Sequence, residues 1–152
     1  MHIDNKKQAS RFNMIFSLIV IVLLIVLAAH YLMGTIQDEN LVYSLWSVLM
    51  IVLLLFRYGG FEYVSFDFND DEIDIKYYHL FPFNRKFNRI VIPVEFLGDF
   101  KIQKGIGSLF STLILFQNRS GAMAQYPPIG MAAVNNEMQK KILEQLKKIQ
   151  DV

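Results

Sequence analysis

The residues with the most chemistry to offer lie in the second half of the chain. Asp67, Asp70, Asp71, Glu72 and Asp74 bring five carboxylates into a short stretch. A calcium loop needs D-x-[DN]-x-[DN]-G followed by a distal Glu, and that spacing is missing. The cluster therefore reads as a solvated turn and strand face, and no metal is expected. His79 is the one histidine beyond the apolar stretches described below. No H-E-x-x-H or G-x-S-x-G accompanies it, so a hydrolase site has no support. Lys104-Gly105-Ile106-Gly107-Ser108 is glycine-rich. It lacks the G-x-x-x-x-G-K-[ST] or G-x-G-x-x-G order of a phosphate cradle and reads as a strand-connecting turn. The chain has no cysteine, which excludes disulfides, thiolate metal sites and a cysteine nucleophile. The expectation is a protein that is not an enzyme, with no catalytic residues and no cofactor.

One cluster remains as a candidate binding surface. Arg85, Lys86 and Arg89 interleave with Phe81, Phe83 and Phe87. Near an anionic bilayer each cation would contribute about 1 kcal/mol of attraction. The rings could enter the headgroup boundary. The competing reading is a solvated loop whose rings pack on their own domain. Phe81, Phe83, Arg85, Lys86 and Arg89 are accordingly the candidate lipid- or partner-binding residues.

The elements that must position these residues begin with two apolar stretches. Met14 to Met33 (MIFSLIVIVLLIVLAAHYLM) carries no formally charged side chain, and neither does Leu41 to Phe56 (LVYSLWSVLMIVLLLF). A bilayer core of roughly 30 Å takes about 20 helical residues. The first stretch meets that length, and the second does so with Arg57 and Tyr58 in the headgroup layer. The first is too long for a signal-peptide core and has no A-x-A cleavage pattern. Lys6, Lys7 and Arg11 precede the pair, Arg57 follows it, and the connecting GTIQDEN holds only acidic charge. The positive-inside rule then places both termini in the cytoplasm. Asp38, Glu39 and Asn40 suit the N-terminus of the second helix. His30 lies inside the first stretch, three residues from its end, close enough to reach water. Ser17, Ser44 and Ser47 are expected to bond to their own or a neighbouring helix. No G-x-x-x-G occurs, so a homo-oligomer has no motif behind it and stays open.

From Tyr58 onward eleven Lys/Arg balance eleven Asp/Glu, which argues against a nucleic-acid binder. Glu62–Phe68 and Glu72–Tyr77 flank Asn69-Asp70-Asp71 and read as a β-hairpin. Ile73, Ile75 and Tyr77 share one face of the second strand. Arg89 to Gln103 reads as strands broken near Pro93. Leu113–Phe116 and Ala122–Tyr126 flank a turn at 117–121. Asn136 to Gln139 has the form of a capping box. Met138, Ile142, Leu146 and Ile149 then draw one apolar stripe on a helix of about four turns. That stripe is expected to cover the core of the β domain.

The order of these elements resembles a bacterial pleckstrin-homology-like domain behind two membrane helices. TLILFQNRSGAMAQYPPIGMAAVNNEMQKKILEQLKKI is similar to the strand, turn, strand and final helix of that family. Asp67–Tyr77 resembles its opening hairpin, and Arg89–Lys101 its middle strands. The resemblance implies a bent two-sheet sandwich or barrel capped by a C-terminal helix. It implies a binding scaffold and no defined ligand.

The expected fold class is thus a membrane α-helical hairpin plus an α+β domain. The expected division is a cytoplasmic segment 1–13, a hairpin 14–58 and a PH-like domain 59–152. The expected function is a non-enzymatic scaffold or interaction module at the cytoplasmic face of a bacterial inner membrane. Its expected partners are the bilayer and a membrane protein. The alternatives are an accessory subunit of a larger complex and an anionic-lipid-binding module.

Overall fold

The computed structural model describes residues 1–34, 36–82, 86–105, 109–119 and 122–150. Two helices, α1 (Lys6–Met33) and α2 (Glu39–Tyr58), precede most of the β structure. Both are long and apolar enough to cross a membrane. Most of their large side chains, Leu18, Ile21, Ile25 and Ile51 among them, are exposed. They meet along a narrow seam of Leu27, Val42 and Leu49 and through stacked Phe16 and Phe56 rings at 3.8 Å. Gly34 ends α1 in the left-handed region (φ +62°), its N–H donating to the His30 carbonyl. Asp38 caps α2 by accepting the Asn40 N–H at 2.9 Å. Ser44 and Ser47 donate to the carbonyls four residues back, as expected of hydroxyls in an apolar helix.

Two antiparallel sheets make up the β domain. The first runs β1 (His2–Asp4), β2 (Glu62–Phe68), β3 (Glu72–His79) and β4 (Asn88–Pro93), in that order. The β2–β3 hairpin closes where the sequence places it, with the Asn69 N–H donating to the Glu72 carbonyl. After a 3-10 turn at Val94–Phe96 the second sheet runs β5 (Leu97–Gln103), β6 (Thr112–Arg119) and β7 (Ala122–Gln125). β8 (Ile129–Gly130) pairs with the start of β6, behind the Pro127-Pro128 interruption. Pro93 sits at the end of β4, where its missing N–H breaks no central ladder.

Period-two alternation turns Val64, Phe66 and Phe68 of β2 and Ile73, Ile75 and Tyr77 of β3 inward. They meet Leu113 and Leu115 of β6 and Ile129 of β8 in one core. The helix α3 (Asn136–Gln150) lays Ile142 and Leu146 into that core, with Met138 and Ile149 at its margins. Each fully buried aliphatic side chain is worth about 1.5–3 kcal/mol. The helix start differs from the capping box expected at Asn136. Asn135 is the cap, its Oδ1 accepting the Met138 N–H at 2.8 Å. Gln139 instead reaches back to the Met131 and Val134 carbonyls. Asn135 is followed three residues on by Met138, which cannot return the reciprocal bond of a capping box.

Residues 1–13, expected as a separate segment, are divided between the first sheet and the opening turns of α1. His2 pairs with Asp67, Ile3 with Phe66 and Asp4 with Ser65. The helical pair is therefore an insertion between two neighbouring antiparallel strands. The Met1 amine itself donates to the Phe68 carbonyl at 2.5 Å.

Candidate functional site

The site grows from the β2–β3 register. Glu62 lies opposite His79, and Val64 opposite Tyr77. All four side chains therefore share the inward face. Glu62 and His79 fall at the open mouth of the sandwich, where α2 runs into β2. A cleft of about 420 Å³ opens there, lined by Arg57, Glu62, Tyr77, His79, Asn88 and Thr112. Pro127, Pro128 and Gly130 close one side.

Glu62 is almost fully buried. Its Oε2 accepts the Gly130 N–H at 2.7 Å, and its Oε1 lies 3.1 Å from His79 Nδ1. Burial pushes the carboxyl up to about 7, against the Gly130 N–H, which favours the ionised form. Burial, and then the Arg57 charge, hold the His79 imidazole below its ordinary value. Burial and the neighbouring Glu62 raise the Tyr77 phenol. One proton between Oε1 and Nδ1 satisfies both atoms near neutrality. The arrangement can take up or release a proton where ordinary carboxylates cannot. Among the described lining residues the hydroxyl groups are those of Tyr58, Tyr77 and Thr112. Among the described residues no cluster of three His, Cys, Asp or Glu could hold a metal ion.

Two backbone features set the mouth in place. Gly60 adopts φ +77°, a conformation only glycine takes easily, and its carbonyl accepts the Ala132 N–H. A side chain at Gly130 would collide with the Gly60 backbone, its Cβ 2.5 Å from the Gly60 oxygen. The chain leaving α2 is thereby pressed onto β8.

Behind the mouth sits Asn5, fully buried between β1 and α1. Its Nδ2 donates to the carbonyls of Glu62 (2.8 Å) and Ala133 (3.2 Å). Its Oδ1 accepts the Val64 N–H at 2.8 Å, and its own N–H donates to the Val64 carbonyl at 3.2 Å. One side chain thus ties the start of α1 to β2 and to the segment before α3. Ala9, Phe16, Phe56, Leu80 and Ala133 pack around this junction, with Phe61 and Tyr78 at its margin.

The basic–aromatic candidates are placed differently from one another. Phe81 is half-buried, its ring 6.3 Å from that of Phe16 in α1. Phe83 and Arg85 lie outside the described residues. Lys86 is exposed. Arg89 is engaged by Asp74 through two hydrogen bonds, Nε to Oδ1 at 2.8 Å and Nη2 to Oδ2 at 3.0 Å. It is one rung of a charge ladder across the outer face of the first sheet, with Lys76 joining Asp74 and Asp67. His2 continues the ladder by bonding to Asp67 and, at 3.1 Å, to Asp4. Phe87 is exposed and its ring tilts against Tyr78 at 4.6 Å.

Neither Glu62 nor Asn5 stands out as a functional residue in the linear pattern. The signal for Glu62 was present: it is the one acid in phase with Val64, Phe66 and Phe68. No family model, curated protein or solved structure matches this chain.

Proposed function

We propose that this chain is a non-enzymatic, membrane-anchored interaction module. In this reading α1 and α2 span a bacterial inner membrane as a hairpin, with both termini and the sandwich on the cytoplasmic side. Lys6, Lys7, Arg11 and Arg57 at one end of the helical pair, against Asp38 and Glu39 at the other, support that orientation. Two packed antiparallel sheets with one C-terminal helix support a pleckstrin-homology-like sandwich. The sandwich binds a protein partner and so organises a membrane complex.

The observation that carries this reading is the insertion of the helices between β1 and β2. A domain on a flexible tether samples many orientations. One joined through two adjacent strands and the Asn5 hydrogen bonds keeps one end toward the helices and its other faces turned outward. Fixed presentation serves docking, because the orientational cost of binding is met in advance. A second reading, an accessory subunit held through its helices, is favoured by an apolar groove beside the junction. Phe12, Ile15, Ile19, Val52, Leu55 and Phe61 line it.

The test is purification of the full chain from membranes in mild detergent, followed by mass spectrometry. The tag belongs at the C-terminus, since the Met1 amine is part of the sheet. A recurrent partner lost when exposed sandwich residues are changed, yet kept when Ile15, Ile19 and Val52 become alanine, supports the interaction module. The opposite pattern supports the subunit, and no recurrent partner argues against both.

A further inference from the structure

The cleft holds a cation that has no carboxylate partner among the described residues. Arg57, half-buried in the last turn of α2, forms no ion pair among the described residues, and its guanidinium lies 5.2 Å from the centre of the adjacent Tyr58 ring. His79 commits Nδ1 to Glu62 and leaves Nε2 without a hydrogen bond among the described residues. Two donors of positive or potentially positive character therefore line one cavity of about 420 Å³. A buried carboxyl stands behind them, held by the Gly130 N–H.

We propose that the mouth of the sandwich is a proton-coupled oxyanion site, in which a phosphate group sits between Arg57 and His79 Nε2 while Glu62 is neutral. Guanidinium and imidazole are suited to a phosphate's oxygens, the first through a two-pronged contact. An ionised Glu62 would repel the same group across the His79 ring, so uptake of the anion and of a proton go together. The charged and titratable groups around Glu62 are Arg57 and Tyr58 from α2 and Tyr77 and His79 from β3. Among the described residues, β4, β6 and β8 contribute Asn88, Thr112 and the Gly130 N–H.

The size of the coupling follows from the carboxyl. With burial holding it at about 7, roughly nine-tenths is neutral at pH 6 and one-tenth at pH 8. A site competent only in the neutral form then binds about ten-fold more weakly at pH 8 than at pH 6. Protonation of His79 on anion entry pushes in the same direction.

The phosphate group could belong to a free oxyanion or to a lipid headgroup, and two probes separate these sources. Inorganic phosphate is titrated calorimetrically into the full chain in uncharged detergent at pH 6 and pH 8. In parallel, the chain in phosphatidylcholine nanodiscs with or without phosphatidylglycerol is assayed by native mass spectrometry for retained anionic lipid. The expected result for one probe is binding at pH 6, about ten-fold weaker at pH 8. Arg57→Gln should abolish it and Arg57→Lys should restore part of it. Glu62→Gln, which keeps an acceptor for Gly130, should lose the ten-fold part of the pH dependence that the carboxyl supplies. Phosphate binding supports the free oxyanion, and selective lipid retention alone supports the headgroup. Binding of neither probe overturns the proposal, as does an Arg57→Gln variant that binds normally or a Glu62→Gln variant whose pH response equals the parent's. The lipid arm rests on the membrane-anchored reading, whereas the phosphate arm does not, so the two can fail separately.

Discussion

The sandwich is closed at two places by opposite chemistry. Along the flank covered by α3, closure is hydrocarbon: Ile142 and Leu146 enter the core beside Leu113 and Leu115. At the mouth beneath α2, closure is polar: Asn5, Glu62 and His79 join strands through hydrogen bonds in a buried setting. Apolar closure is non-directional and insensitive to protons. Polar closure is directional, is costly when one partner is missing, and changes with pH. The flank therefore serves stability, and the mouth holds the groups that can respond to solution conditions.

Four measurements break or sharpen that contrast, from the largest effect to the smallest. Leu146→Ala opens a cavity in the hydrocarbon flank and should cost about 2–5 kcal/mol. Thermal unfolding of the full chain in detergent should show the same loss at pH 6 and pH 8. A loss that varies with pH would mean that flank and mouth are not separate. Asn5→Ala strands the Val64 N–H and two carbonyls, and should cost about 2–3 kcal/mol. Limited proteolysis should then cut near residues 1–5 before it cuts α3.

Glu62→Gln probes the mouth with a reversal of sign. The fold favours the neutral carboxyl, so Glu62 contributes fully below its ordinary value of 4.5 and that contribution is lost as pH rises through about 7. Gln does not ionise. The variant should be more stable than the parent at pH 8 by about 3 kcal/mol, and the gap should close toward pH 4.5. An equal gap at both pH values would remove Glu62 as the titrating group. The smallest effect belongs to the charge ladder. Because Arg89 already spends its charge on Asp74, Arg89→Gln should leave affinity for anionic vesicles unchanged in a flotation assay.

The hydrocarbon flank was far more legible in the sequence than the mouth. Met138, Ile142, Leu146 and Ile149 repeat at helical spacing, and a stripe of that kind can only be one face of a helix. The β2–β3 hairpin was legible for the same reason: its turn residues are punctuation, and alternation fixes its faces. That register also carried unread information, since a turn at Asn69-Asp70-Asp71 places Glu62 opposite His79. β1 was not legible. It is three residues long, has no period to detect, and pairs with a strand that begins some sixty residues later. Asn5 escapes for a related reason, because a polar residue beside a helix start reads as a surface cap until its distant partners are known. Arg89 shows the converse case: counted as a local cation, it is in fact neutralised from β3.

The split sheet has a consequence for how a newly made copy is checked. On the reading that the helices enter a bilayer, β1 leaves the ribosome before β2 and must wait unpaired until β2 appears beyond both crossings. Its pairing requires that the two flanking segments end up in the same compartment. A copy threaded with its first residues on the wrong side could never zip β1 onto β2. It would display a bare strand edge and an empty Asn5 pocket, marks that quality-control proteases can recognise. The first five residues thus act as a receipt for correct topology, issued only when threading and folding agree.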